Sequence, residues 1–98
     1  MLEIGYGEGG VVALTGRLDA AQCGKAQQFL EAADAPSVLD FAGLEYISSA
    51  GLGLLLALHK RLLASGGGLR LINVNSHIHD IFRFSGFDRV FAVERAAH

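Results

Sequence analysis

The sequence predicts one α/β domain: a mixed sheet of four to five strands with helices mainly on one side. Three observations predict it. The chain opens with Leu2, Ile4 and Tyr6 separated by Glu3 and Gly5, then meets a glycine-rich stretch at Gly7–Gly10; period-two alternation ended by such a stretch reads as a hairpin. Further on, short apolar segments alternate with helical stretches, which produces parallel strand neighbours joined by crossovers. Finally, 98 residues of which 51% are apolar and 18% charged supply one core but not two.

The elements follow in order. Leu2–Tyr6 is the first strand and Val11–Thr15 the second, broken at Gly16-Arg17-Leu18-Asp19. Asp19 is placed to cap a helix from Ala20 to Ala33, on which Cys23, Ala26, Leu30 and Ala33 form one stripe at three- and four-residue steps. Pro36 ends the connection, and Ser37–Phe41 reads as a short strand of the kind buried on both faces. Gly43–Ile47 then carries the chain to Ser48 and Ser49.

A strongly helical pattern runs from about Ser49 to Ser65. Leu52, Leu55, Leu56, His59, Leu62 and Leu63 fall on one side, with Leu54, Leu58 and Arg61 on another. That arc is wider than one core-facing stripe needs, so Leu54 or Leu58 is available for a different contact. Gly66–Gly68 terminates the helix. Leu69–Val74 is the next strand. Asn75 or Ser76 caps a short helix holding Ile78, Ile81, Phe82 and Phe84, closed by Gly86, and Phe87–Val93 adds an edge strand or extended segment.

Composition excludes several function classes. Eight basic and ten acidic residues give a formal charge of −2 with the basic residues scattered; nucleic-acid binding needs a clustered positive face, so no direct nucleic-acid partner is expected. The longest apolar run, Leu52 to Leu58, is far short of the ~20 residues that span a bilayer, so no membrane insertion is expected. Met1–Gly5 has none of the basic and apolar regions of a signal peptide. The single Cys23 forms no internal disulfide, which suits a reducing compartment. The expectation is a cytoplasmic protein, monomeric when free.

The most informative stretch is Glu45–Leu56, where an apolar strand ends, two serines appear and a glycine-punctuated leucine run begins. It places hydroxyls at a helix N-terminus, whose unpaired N–H groups and dipole favour negative charge. Such a serine can be a cap, a nucleophile or a switch. The hydrolase elbow Gly-x-Ser-x-Gly is not met, because Ile47 stands where the first glycine would be. None of His59, His77, His79 and His98 sits in a triad context. His77-x-His79 is weak as a metal motif, since positions two apart on a helix face different ways. The glycine runs match neither a Walker loop nor a dinucleotide fingerprint. We expect no catalysis, no metal and no cofactor. Gly51 and Gly53 cost roughly 1 kcal/mol each against alanine inside a helix. They either flatten the surface for another molecule's approach or allow close packing on the sheet.

Taken with these residues, the chain resembles the STAS family, named for sulfate transporters and anti-sigma factor antagonists. The matching segments are Leu14–Asp19, Val38–Phe41, Tyr46–Leu52, the leucine-rich helix and Phe82–Phe91. They occur in family order over essentially the whole chain, and the ending looks most like the stand-alone antagonists. The resemblance implies a partner switch. The unphosphorylated antagonist binds an anti-sigma factor that is also a serine kinase, releasing the sigma factor. Phosphorylation at the helix start ends that association, and a metal-dependent serine phosphatase restores it. On the family pattern the phosphoacceptor is Ser49, with Ser48 as rival, since this chain has Ser48 and Ala50 where many antagonists have an acidic residue and a second serine. The implied partner-binding surface comprises Asp19, Ser48, Ser49, Ala50, Gly51, Gly53 and Leu54. Asp19 is alternatively only a helix cap. A second implied function is a STAS subunit of a lipid or anion transport complex that binds a transporter ATPase.

Overall fold

The computed structural model describes residues 1–32 and 37–96. Strands β1 (Leu2–Tyr6), β2 (Val12–Leu18), β3 (Val38–Ile47), β4 (Arg70–Val74) and β5 (Ala92–Arg95) form one five-stranded sheet in chain order. β1 and β2 are the antiparallel pair, and every other neighbouring pair is parallel. Helices α1 (Cys23–Ala32), α2 (Ser49–Ala64) and α3 (Ser76–Ser85) occupy the crossovers.

Burial alternates along the strands. Leu2, Val12, Leu14, Leu18, Leu39, Phe41, Leu44, Ile47, Leu71 and Val74 are buried, whereas Glu3, Thr15, Arg17, Ala42, Glu45 and Arg70 are exposed. One face of the sheet therefore carries the helices and the other meets solvent. An aromatic chain ties the covered face together. Phe82 stacks on Phe41 at 6.4 Å, Phe91 meets Phe82 edge-on at 5.8 Å, and Phe87 and His59 reach Phe91 at 5.9 and 5.5 Å. Edge-to-face rings at such separations attract through their quadrupoles. His59 is buried, and its Nδ1 accepts from the Leu69 N–H at 3.0 Å, which joins α2 to the start of β4.

Several expectations are corrected. β2 does not break at Gly16 but continues to Leu18. Gly16 adopts a φ of +99°, where a Cβ would collide with the Met1 carbonyl, so the glycine bends the strand rather than ending it. A 3-10 turn, Ala20–Gln22, precedes α1. The predicted helix end at Ala33, and Pro36, lie outside the described residues. The predicted short strand buried on both faces is a ten-residue strand buried on one; Val38 and Asp40 are only half-buried. On α2, Leu58 is buried in the core and Leu63 is 54% exposed, because the wide apolar arc is seated by its Leu55–Leu58–Leu62 edge. α3 begins at an Asn75 cap, whose Oδ1 accepts from the Ile78 N–H at 2.9 Å, and ends at Gly86 with φ +80°. Phe84 lies on that helix as expected, with its ring exposed.

Candidate functional site

Strand pairing at the carboxyl ends of β2 and β3 builds the site. Leu18 and Ile47 are register partners, and the Ser48 N–H donates to the Leu18 carbonyl at 3.0 Å. The residues that follow each strand, Asp19 and Ser48, are thereby fixed on the same sheet edge. The β4–α3 junction at Asn75 and Ser76 shares that edge, since all three strands run parallel.

The two serines divide their roles. Ser48 has extended backbone angles and caps α2: its Oγ accepts from the Gly51 N–H at 3.2 Å, and its carbonyl accepts from Leu52 N–H at 2.9 Å. It satisfies donors that a helix start leaves unpaired. Ser49 is the first residue of α2, and its side chain is exposed at the positive end of the helix dipole. The neighbouring Ala50 is exposed as well.

The two glycines also differ. Gly51 points inward, and a Cβ there would lie 2.8 Å from Ile47 Cγ1, 2.9 Å from the Leu18 oxygen and 3.0 Å from Leu18 Cγ. Its absence of side chain lets α2 sit down on the ends of β2 and β3. This corrects its assignment to an exposed partner-binding surface: Gly51 is buried. Gly53 is exposed, and a Cβ there would meet no atom within 4 Å. Leu54 is half-buried and faces α1.

Asp19 does not cap with its side chain. Its backbone carbonyl does so, accepting from the Gln22 N–H at 3.0 Å and from Cys23 Sγ at 3.3 Å. Its carboxylate Oδ2 lies 4.0 Å from Arg17 Nε, while Oδ1 is buried without a hydrogen-bond partner among the described residues. Burial, and then the Asp19 charge, push the Cys23 thiol above its ordinary range, which disfavours the reactive thiolate.

Sequence reasoning missed two features. Arg17 lies over the Tyr46 ring at 4.3 Å on the open sheet face beside this edge, an arrangement set by their register pairing across β2 and β3. A groove between α1 and α2, lined by Leu30, Leu54, Ala57 and Leu58, starts one helical turn beyond Ala50. The three- and four-residue spacing of Ala50, Leu54, Leu58 and Arg61 was its available signal. Among the described residues, no group of three His, Cys, Asp or Glu side chains could hold a metal ion, and no helix is long and apolar enough to cross a membrane.

Comparisons with known proteins add a family and a fold. The family model described as Mlab, STAS domain, matches residues 5–94. BtrV of Bordetella bronchiseptica, which bears the provisional name of an anti-sigma factor antagonist, is 43% identical over 56 residues. That alignment covers 57% of this chain and 48% of BtrV, so it spans about half the relative's length. Among solved structures, an anti-sigma factor antagonist from Mycobacterium paratuberculosis superposes with a TM-score of 0.82 at 23% identity, covering 96% of this chain and 86% of that one. The phosphorylated form of the Bacillus cell fate determinant SpoIIAA superposes with a TM-score of 0.65 at 22% identity, covering 95% and 90%. At these identities the superpositions establish the shared fold.

Proposed function

Because the chain belongs to the STAS domain family, we propose that it is an anti-sigma factor antagonist whose binding is ended by phosphorylation of Ser49. The observation that carries this reading is the division of labour at the start of α2. The Ser48 hydroxyl is engaged as the cap, while Ser49 stands exposed at the first helical position. A kinase reaching this edge meets Ser49 without dismantling the helix start.

The physical chemistry supports a switch that works at the surface. A phosphoserine carries about −1.5 to −2 charge near neutral pH, and the N-terminus of α2 tolerates that charge within the fold. The cost falls on a partner lying over Ser49, Ala50, Gly53 and Leu54, because burying a phosphate without a cation is unfavourable. Asp19 borders the same edge, where its carboxylate adds to the repulsion that a phosphate on Ser49 presents to an acidic partner surface. The partners on this reading are an anti-sigma factor serine kinase and a metal-dependent serine phosphatase, in the cytoplasm, with the antagonist monomeric when free. The domain itself turns over no substrate.

The test titrates the purified chain against the anti-sigma serine kinases of its own genome, before and after incubation with ATP, and maps the modified residue by mass spectrometry. Wild type is expected to bind and to be released on modification, Ser49→Ala to bind without being modified, and Ser49→Asp to bind weakly. Equal phosphorylation of Ser49→Ala together with undiminished binding by Ser49→Asp would overturn the mechanism. A second reading, a STAS subunit bound to a transporter ATPase, is kept because the matching family is named for Mlab rather than for an antagonist. Binding to a transporter ATPase and to no serine kinase selects it.

A further inference from the structure

We propose that the groove between α1 and α2 is the partner's anchor site, seating one aliphatic side chain flanked by carboxylates that face α2. The proposal rests on the antagonist reading above and specifies the chemistry of the partner surface. The groove encloses about 70 Å³ and is walled by Leu30, Leu54, Ala57 and Leu58, with Glu31 on its α1 rim and Arg61 on its α2 rim. Its lining is predominantly apolar, the composition of a recognition pocket. The groove's volume matches the end of a valine, leucine or isoleucine side chain.

Position connects the groove to the switch. Ala50, Leu54, Ala57, Leu58 and Arg61 recur at three- and four-residue steps on α2 and share one face. The groove thus continues the surface that begins beside Ser49. A segment seated there extends along α2 to the phosphoacceptor without a gap.

Charge specifies the flanks. The α2 side is positive at both ends: the helix N-terminus by its dipole, and exposed Arg61, which makes no ion pair among the described residues. The α1 rim carries Glu31, whose carboxylate accepts from Gln27 Nε2 at 3.3 Å. An anchor with carboxylates toward α2 and a cation toward α1 complements this pattern. A phosphate on Ser49 would then stand where the partner places negative charge, so release follows from direct repulsion.

The experiment measures the dissociation constant for the serine kinase that binds wild type in the titration above, using Ala57→Arg, Arg61→Glu and Lys60→Glu. Lys60 is exposed and does not line the groove. Ala57→Arg fills the groove and is expected to weaken binding at least tenfold, and Arg61→Glu several-fold with a shallower salt dependence, while Lys60→Glu stays within twofold. Unchanged thermal melts for the three variants establish that each is folded. Binding of Ala57→Arg within twofold of wild type overturns the proposal, as does equal weakening by Lys60→Glu and Arg61→Glu. If no serine kinase binds wild type, the antagonist reading fails and takes this assignment with it. If one does bind and the groove variants are silent, only the groove assignment fails.

Discussion

Gly51 and Gly53 lie two residues apart on α2, and alanine substitution at the two positions should change stability in opposite directions. At Gly51 the new methyl meets Ile47 Cγ1 at 2.8 Å, the Leu18 carbonyl oxygen at 2.9 Å and Leu18 Cγ at 3.0 Å. Side-chain atoms can rotate away, but the carbonyl is held in place by the Ser48 N–H it accepts. The helix start must lift instead, stretching the bond that anchors the serine turn. Overpacking of this kind costs about 1–3 kcal/mol, offset by up to about 1 kcal/mol from replacing a helical glycine. Because one of the clashing atoms is backbone, the upper half of that range applies, about 2–3 kcal/mol. Subtracting about 1 kcal/mol leaves a net loss of about 1–2 kcal/mol, and a domain of this size shifts its Tm by about 4–8 °C per kcal/mol.

At Gly53 no atom lies within 4 Å of the added methyl, so only the propensity gain remains. Gly53→Ala should stabilise by roughly 0.5–1 kcal/mol. The assay is urea unfolding followed by circular dichroism at 222 nm, with thermal melts alongside. A Gly51→Ala protein as stable as wild type would refute the seating of α2 described above. A destabilised Gly53→Ala would refute its placement on the open side of the helix.

Ser48→Ala removes the α2 cap and should cost about 1 kcal/mol, while Ser49→Ala, exposed at the first helical position, should stay within about 0.5 kcal/mol; urea midpoints at constant m decide both. Asn73 has a φ of +56° and donates from Nδ2 to Asp40 Oδ1 at 3.1 Å. Asn73→Ala should therefore lose about 1–2 kcal/mol from the left-handed backbone alone, and Asn73→Gly measurably less, as denaturant titration would show. The exposed Glu94 carboxyl is held below its ordinary value by its hydrogen bond to Arg70. Its contribution is present above pH 4.5 and fades as the solution is acidified through the lowered value. In Glu94→Gln the stability difference between pH 6 and acid should be smaller than in wild type, and high salt should shrink it for wild type too.

The opening hairpin, the α2 start and the Asn75-to-Gly86 helix were legible because each carries local punctuation: a glycine turn, a serine or asparagine cap, a glycine stop. What escaped the sequence was settled by neighbours. β2 runs through Gly16 because its partners on both sides hold the strand across a glycine that would end an isolated one. β3 extends to Ile47 although its outer face carries Ala42 and Glu45, and strict alternation is interrupted because Leu44 is buried three residues after Phe41. The apolar arc of α2 is wider than the sheet can cover, so periodicity alone could not choose between Leu58 and Leu63. The sequence allows Gly51 to be a surface glycine or a packing glycine, and only the Ile47 and Leu18 atoms around it decide for packing. Arg17 over Tyr46 depends on a register between distant strands, which no local pattern encodes.

The order of the sheet, β1-β2-β3-β4-β5, also bears on how the molecule is made. Every strand pairs with the one synthesised just before it, so no strand waits for a distant partner. Three of the four pairs are parallel and each closes only across a helical crossover, which slows pairing. Synthesis at about 5–20 residues per second nonetheless leaves time on the order of seconds for each crossover to close before the next strand emerges. The bonds that shape the serine turn join Leu18, Ile47, Ser48, Gly51 and Leu52. All of their atoms have been joined to the growing chain before β4 is translated, so vectorial folding can assemble this edge first and append the remaining strands to it.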